Sequence, residues 1–244
     1  MSRPDWLTAR PVAHRGLHDG ASVIENTPSA VAAAIAAGYG VEVDLQITAD
    51  GEAMVHHDDA LGRLTEGDGR LAGMTVADLK RVSFRRTADR MMTLGDLLDL
   101  VAGRTTLLIE LKSHWDGDRK LAERVARVLG STSAPVAAMS FDPRQVAALR
   151  ELAPHLVRGL VAENWRPQAE PITGGMAQST YWRTVFRSRP HFIAYNVKDL
   201  PGAVPFVARK MLGLPLLTWT VGGEEDRARA ARWADQMIFE GFRP

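Results

Sequence analysis

The chain has 244 residues, 45% of them hydrophobic and 24% charged, the proportions of an ordinary globular protein with enough chain for a large core. Thirty Lys and Arg against 29 Asp and Glu leave a net charge of +1, so no global field selects nucleic acid or an anionic membrane as partner, and any anion site must be local. Cysteine is absent, which excludes disulfides, thiolate metal sites and a cysteine nucleophile and fits a reducing, cytoplasmic setting.

Residues 1–6 carry no apolar h-region, and the longest apolar run, 30–37, ends at Gly38, so neither a signal peptide nor a membrane span is expected. Short apolar runs then alternate with amphipathic stretches. A first strand is expected over residues 11–14, and Asn26-Thr27-Pro28 caps a helix that stops at Gly38. A second strand, 40–47, precedes two helical patterns, 75–82 and 93–101, on either side of which no domain boundary stands out. Six more strands follow at 106–112, 135–140, 157–162, 191–196, 214–220 and 236–239. Helical patterns at 119–129, 144–152, 179–187, 201–212 and 223–233 fall between them. Eight strands at roughly 30 residues per unit is the rhythm of a βαβ repeat. It predicts a parallel (β/α)8 TIM barrel in one domain spanning 1–244. The long interval after the second strand reads as a small insertion over about 58–92, at the strand C-terminal ends where barrel enzymes keep their active sites.

Side chains alternate along a strand, so in Val41-Glu42-Val43-Asp44-Leu45 the two carboxylates share one face and the apolar residues the other. In a barrel the apolar face meets the helices and both carboxylates point inward. Two inward carboxylates repel one another and are costly to desolvate, which a divalent cation relieves; oxygen ligands suit a hard one such as Mg²⁺ or Ca²⁺. An antiparallel strand with a polar solvent face is the competing explanation. Glu110 and Lys112 repeat the pattern, either as a third metal ligand beside an anion-holding ammonium or as an internal ion pair. His14 ends the first strand, and a histidine there is suited to proton transfer, although alone it is more often a structural hydrogen-bonding group. Arg15 offers a bidentate fork for phosphate. His56-His57 point apart, so one at most faces the site, and the histidine spacing does not suit a zinc site. The inventory suits phosphoryl chemistry without a P-loop.

The motifs His14-Arg15-Gly16, Glu25-Asn26-Thr27, Glu42-Val43-Asp44, His57-Asp58, Glu110-Leu111-Lys112, Ser140-Phe141 and Trp219-Thr220-Val221 run along nearly the whole chain. In this order they resemble the glycerophosphodiester phosphodiesterases. The resemblance implies a barrel with a small insertion after the second strand and Mg²⁺ or Ca²⁺ held by Glu42, Asp44 and Glu110. It implies His14 and His57 as general acid and base, which selects His57 over His56. It implies Arg15 and Lys112 on the phosphate, with Glu25 adding a metal or substrate contact. The expected reaction converts a small-molecule glycerophosphodiester to glycerol 3-phosphate and an alcohol, through a cyclic phosphate. Related barrels act on lysophospholipids, some stopping at the cyclic product, and a non-catalytic phosphodiester-binding barrel is a third reading. A homo-oligomer is compatible with all three. Trp219 and Phe141 either line the substrate site or belong to the core, and Ser140 reads as structural. The chain departs from the family at Gly222, where many members have Asn, and at Glu240-Gly241-Phe242, where the last strand often ends in Thr-Asp-Xaa-Pro.

Overall fold

Alternation of side chains closes the strands of this chain into a barrel. The computed structural model describes residues 4–164 and 178–244; residues 1–3, part of the stretch read for leader character, lie outside them. The chain runs β1 (Val12–Ala13), α1 (Pro28–Ala36), β2 (Gly40–Ile47), β3 (Ala53–Val55), α2 (Val76–Leu79) and α3 (Leu94–Val101). It continues with β4 (Leu107–Leu111), α4 (Lys120–Leu129), β5 (Val136–Ser140), α5 (Pro143–Leu152) and β6 (Val157–Ala162). After α6 (Gln178–Ser188) come β7 (Phe192–Asn196), α7 (Ala203–Phe206), β8 (Leu216–Val221), α8 (Glu224–Trp233) and β9 (Gln236–Phe239). All strand pairings are parallel except β2–β3, and β1 pairs with both β2 and β9, which completes an eight-stranded ring. This is the expected (β/α)8 architecture.

Two apolar layers hold it. Val41, Val43 and Leu45 pack outward with Val31, Leu97, Leu121 and Val125 from the helices. Val12, Leu108, Met139, Val161, Phe192, Leu217 and Ile238 fill the interior. Gly159 is needed there, because a Cβ at that position would lie 2.2 Å from the Phe192 ring. Trp6 and Leu7, in a short 3-10 turn, close the end of the barrel at the strand N-termini, fixed by the Thr106 hydroxyl donating to the Trp6 carbonyl at 2.8 Å. A satellite core of Ile24, Met54, Leu61, Leu71, Leu79, Phe84 and Met91 supports the insertion after β2.

Three local outcomes differ from the sequence reading. The run Ala53-Met54-Val55 forms β3, an antiparallel hairpin partner of β2 with Leu45 opposite Val55. The helix expected over 201–212 is not continuous: α7 gives way to a π-helical turn, Val207–Met211, closed by the Leu212 amide on the Val207 carbonyl. Val204, Phe206, Val207, Met211 and Leu212 are exposed there and only Pro205 and Ala208 are buried, so the apolar residues do not mark a single buried face. Strand β8 begins at Leu216 because the preceding Pro215 has no amide to donate. No helix among the described residues is long and apolar enough to cross a membrane.

Candidate active site

The inward residues at the strand C-termini gather at one mouth. Glu42, Asp44 and Glu110 are buried, with one oxygen from each within 4.8 Å of the others. The register explains this: Asp44 of β2 stands beside Glu110 of β4, and Glu42 is two residues back on the same face. Asn26 holds Asp44 from the β1–α1 loop, its Nδ2 donating to Oδ2 at 2.8 Å and its Oδ1 accepting the Asp44 amide at 3.1 Å. Glu42 Oε2 accepts the Arg15 amide at 3.0 Å, but Glu42 Oε1 is buried without any donor. Lys112 Nζ hydrogen-bonds Glu110 Oε1 at 2.7 Å and lies 2.8 Å from Asp44 Oδ1, a charge contact without hydrogen-bond alignment.

These surroundings split the carboxylates. Burial, and then the Asp44 charge, push Glu42 up to about 8. Burial also opposes charge on Asp44, but Lys112 and Arg15 outweigh it and hold that carboxyl well below the usual range. Three converging oxygens, one of them without a donor, are a donor set that fits a hard divalent cation.

His14 and His57 flank this cluster. His14 is carried by β1, its backbone amide donating to Phe239 of β9 at 2.9 Å. Its Nδ1 lies 2.5 Å from Glu240 Oε2, and its Nε2 lies 4.0 Å from Glu42 Oε2. Burial works against charge on this ring, yet the Glu240 hydrogen bond and the Glu42 charge outweigh it and raise the affinity for a proton. His57 follows β3 and is partly exposed, its Nδ1 2.8 Å from Asp58 Oδ1. His56 is buried, and burial keeps it neutral by lowering its pKa.

The turn between the histidine and α1 is built on Gly16, which has φ +82° and whose added Cβ would lie 2.7 Å from Ala30. Arg15, itself at φ +56°, donates to Glu25 at 2.9 Å and approaches Asp44 Oδ2 at 3.2 Å. Glu25 also receives Arg63 at 2.6 Å, and Arg63 reaches Asp58 at 2.6 Å. An alternating chain Arg15–Glu25–Arg63–Asp58–His57 therefore links the two histidine-bearing loops. Trp219 meets Phe141 edge-on at 5.3 Å, both against the interior core, and the buried Trp219 Nε1 has no acceptor.

The residues proposed from the sequence as site residues thus lie at this mouth, and six neighbours were not singled out as such. Asn26 and Asp58 stood inside quoted motifs but carried no role. Glu240 was noted only as a departure at the end of β9. Arg63 lies in the insertion and has no local signal. Glu163 and Asn196, bonded at 2.9 Å at the ends of β6 and β7, complete the polar rim.

Residues 14–242 match the glycerophosphoryl diester phosphodiesterase family. A glycerophosphodiester phosphodiesterase of Caldanaerobacter subterraneus is 27% identical over 231 residues, covering 89% of this chain and 88% of the relative. One from Bacillus subtilis is 27% identical over 226 residues, covering 83% and 73%. Among solved structures, the Thermotoga maritima glycerophosphodiester phosphodiesterase has a TM-score of 0.72 at 25% identity, with 94% of both chains covered. The fold is also that of an Oleispira antarctica phosphodiesterase in complex with the product sn-glycerol-3-phosphate, at TM-score 0.78, 21% identity and 96% and 94% coverage. This chain belongs to the glycerophosphoryl diester phosphodiesterase family.

Proposed function

We propose that the chain hydrolyses a glycerophosphodiester to glycerol 3-phosphate and an alcohol, with His14 and His57 moving the protons and Glu42, Asp44 and Glu110 holding Mg²⁺ or Ca²⁺. The observation that carries this reading is the buried carboxylate triad, with its donorless Glu42 oxygen, set between two carboxylate-oriented histidines. The glycerol 3-phosphate bound by the Oleispira antarctica enzyme supports the substrate class. The bound cation supplies charge neutralisation at the phosphate.

The protein's own groups do the rest. Glu240 fixes the His14 tautomer by accepting from Nδ1, which turns Nε2 toward the carboxylates. Asp58 does the same for His57. One imidazole takes the proton of the glycerol 2-hydroxyl as it attacks phosphorus, and the other protonates the leaving alcohol. Water then opens the cyclic phosphate with the two roles exchanged. Arg15 and the free Trp219 N–H face the anionic oxygens, while Phe141 and Trp219 wall the site from water. Lys112 compensates Asp44 and Glu110 and so sets the local charge beneath the phosphate.

A panel of glycerophosphodiesters with Mg²⁺ or Ca²⁺, read by release of glycerol 3-phosphate and by phosphorus NMR, tests the proposal. Turnover of none of them overturns it. A cyclic phosphate as the final product would assign a transesterase instead.

A further inference from the structure

We propose that the barrel wall formed by α6 and α7 docks on an anionic lipid surface. A groove there is floored by Leu160, Ile193 and Leu214 and rimmed by Trp182, Phe186, Val204, Val207 and Leu212, with Met211 exposed at the end of the π-helical turn. Large apolar side chains of a soluble surface are normally scattered, but here Phe186 is 75% exposed, Met211 73% and Leu212 65%, on two neighbouring segments.

Charge identifies the occupant. Residues 178–198 and 200–223 contain no Asp or Glu. Within them, Lys198 and Arg209 are paired with Asp226 and Asp235. Arg183, Arg187, Arg189 and Lys210 are exposed beside the apolar residues and make no ion pair among the described residues. A second copy pairing two-fold on this face would set these bases against one another with no carboxylate on residues 178–198 or 200–223 to relieve them. Anionic headgroups meet the same bases favourably while their acyl boundary accepts the apolar rim, the arrangement of an interfacial amphipathic surface. The net charge of +1 conceals this strip, because acids elsewhere balance it. With the wall on the lipid, the mouth opens beside the surface and stays accessible to a water-borne diester.

Flotation of the full chain with phosphatidylcholine vesicles, with and without phosphatidylglycerol, at low and high salt, tests the inference. Binding should require phosphatidylglycerol and weaken with salt. Each base near the surface contributes about fivefold, so Arg183→Glu with Arg187→Glu should lower partitioning at least tenfold. Phe186→Ser with Met211→Ser should remove it at low salt as well. Both double variants should melt as the parent does and should turn over a soluble diester unchanged. If the serine pair fails to fold, the exposed arginine pair carries the test alone. No flotation with any vesicle overturns the proposal. Concentration-dependent sedimentation lost in the serine pair, without vesicle binding, overturns it in favour of a second copy.

Discussion

The barrel buries charge at both ends, and the two ends treat it differently. At the foot of β6, Arg158 donates to the carbonyls of Ser188, Pro154 and Leu156 at 3.1, 3.3 and 3.5 Å. These are chain ends left over from α5 and α6, so the guanidinium is satisfied by backbone and needs no acid. Burial and the Arg150 charge still lower its pKa to about 10. At the mouth the polarity is reversed and the satisfaction incomplete: Glu42 keeps an oxygen without a donor, and Trp219 keeps an N–H without an acceptor. A buried charge that the backbone completes serves the fold. One that it leaves incomplete is available for a ligand.

The comparison can be broken by substitution. The largest effect is expected on turnover at the mouth: His14→Ala should lower kcat/KM by about 10²–10⁴-fold with an unchanged circular dichroism spectrum. A full-rate variant would remove His14 from the chemistry. Next in size is the thermal response to Mg²⁺ or Ca²⁺. Saturation at about 100 times Kd should stabilise the protein by about 2.7 kcal/mol, and Asp44→Asn should abolish the shift in Tm. Burial holds the Glu42 proton on until about pH 8, and a ligating carboxylate must lose it, so the metal-induced shift should grow as pH rises from about 6 to 8. A pH-independent shift would show that Glu42 either is already ionised over this range or is not a ligand.

The foot of the barrel should respond in stability alone. Arg158→Met leaves buried carbonyls unpaired and should cost about 1–3 kcal/mol in a denaturant melt with kcat unchanged. A last effect, absent at neutral pH, is at His191, whose Nδ1 accepts the Arg158 amide at 3.2 Å. Burial and the Arg158 charge lower its pKa to about 4. The unfolded chain takes up that proton first, near pH 6.5, so stability falls as pH drops from about 6.5 toward 4. His191→Asn, which offers an oxygen to the same amide, should flatten that slope.

What could be read in the sequence follows from the range of each rule. Glu42 and Asp44 were legible because strand period places them on one face without knowledge of any neighbour, and the same holds for Glu110 and Lys112. The choice of His57 over His56 came from family resemblance, since the direction of β3 was not visible in three apolar residues. Arg63 and Glu240 depend on which loops and strands meet, and no local pattern encodes that. The π-helical segment was misread because most of its apolar residues are exposed, whereas periodicity assumes that they seek the core.

Strand β1 has only two residues, yet it seats His14, and it is held on one side by β9. The His14–Glu240 contact therefore joins residues 226 positions apart. The carboxylate triad comes from β2 and β4 alone, whereas the imidazole takes its carboxylate partner from the end of the final strand. The β1–β9 pairing that closes the ring is therefore also what brings His14 its carboxylate partner.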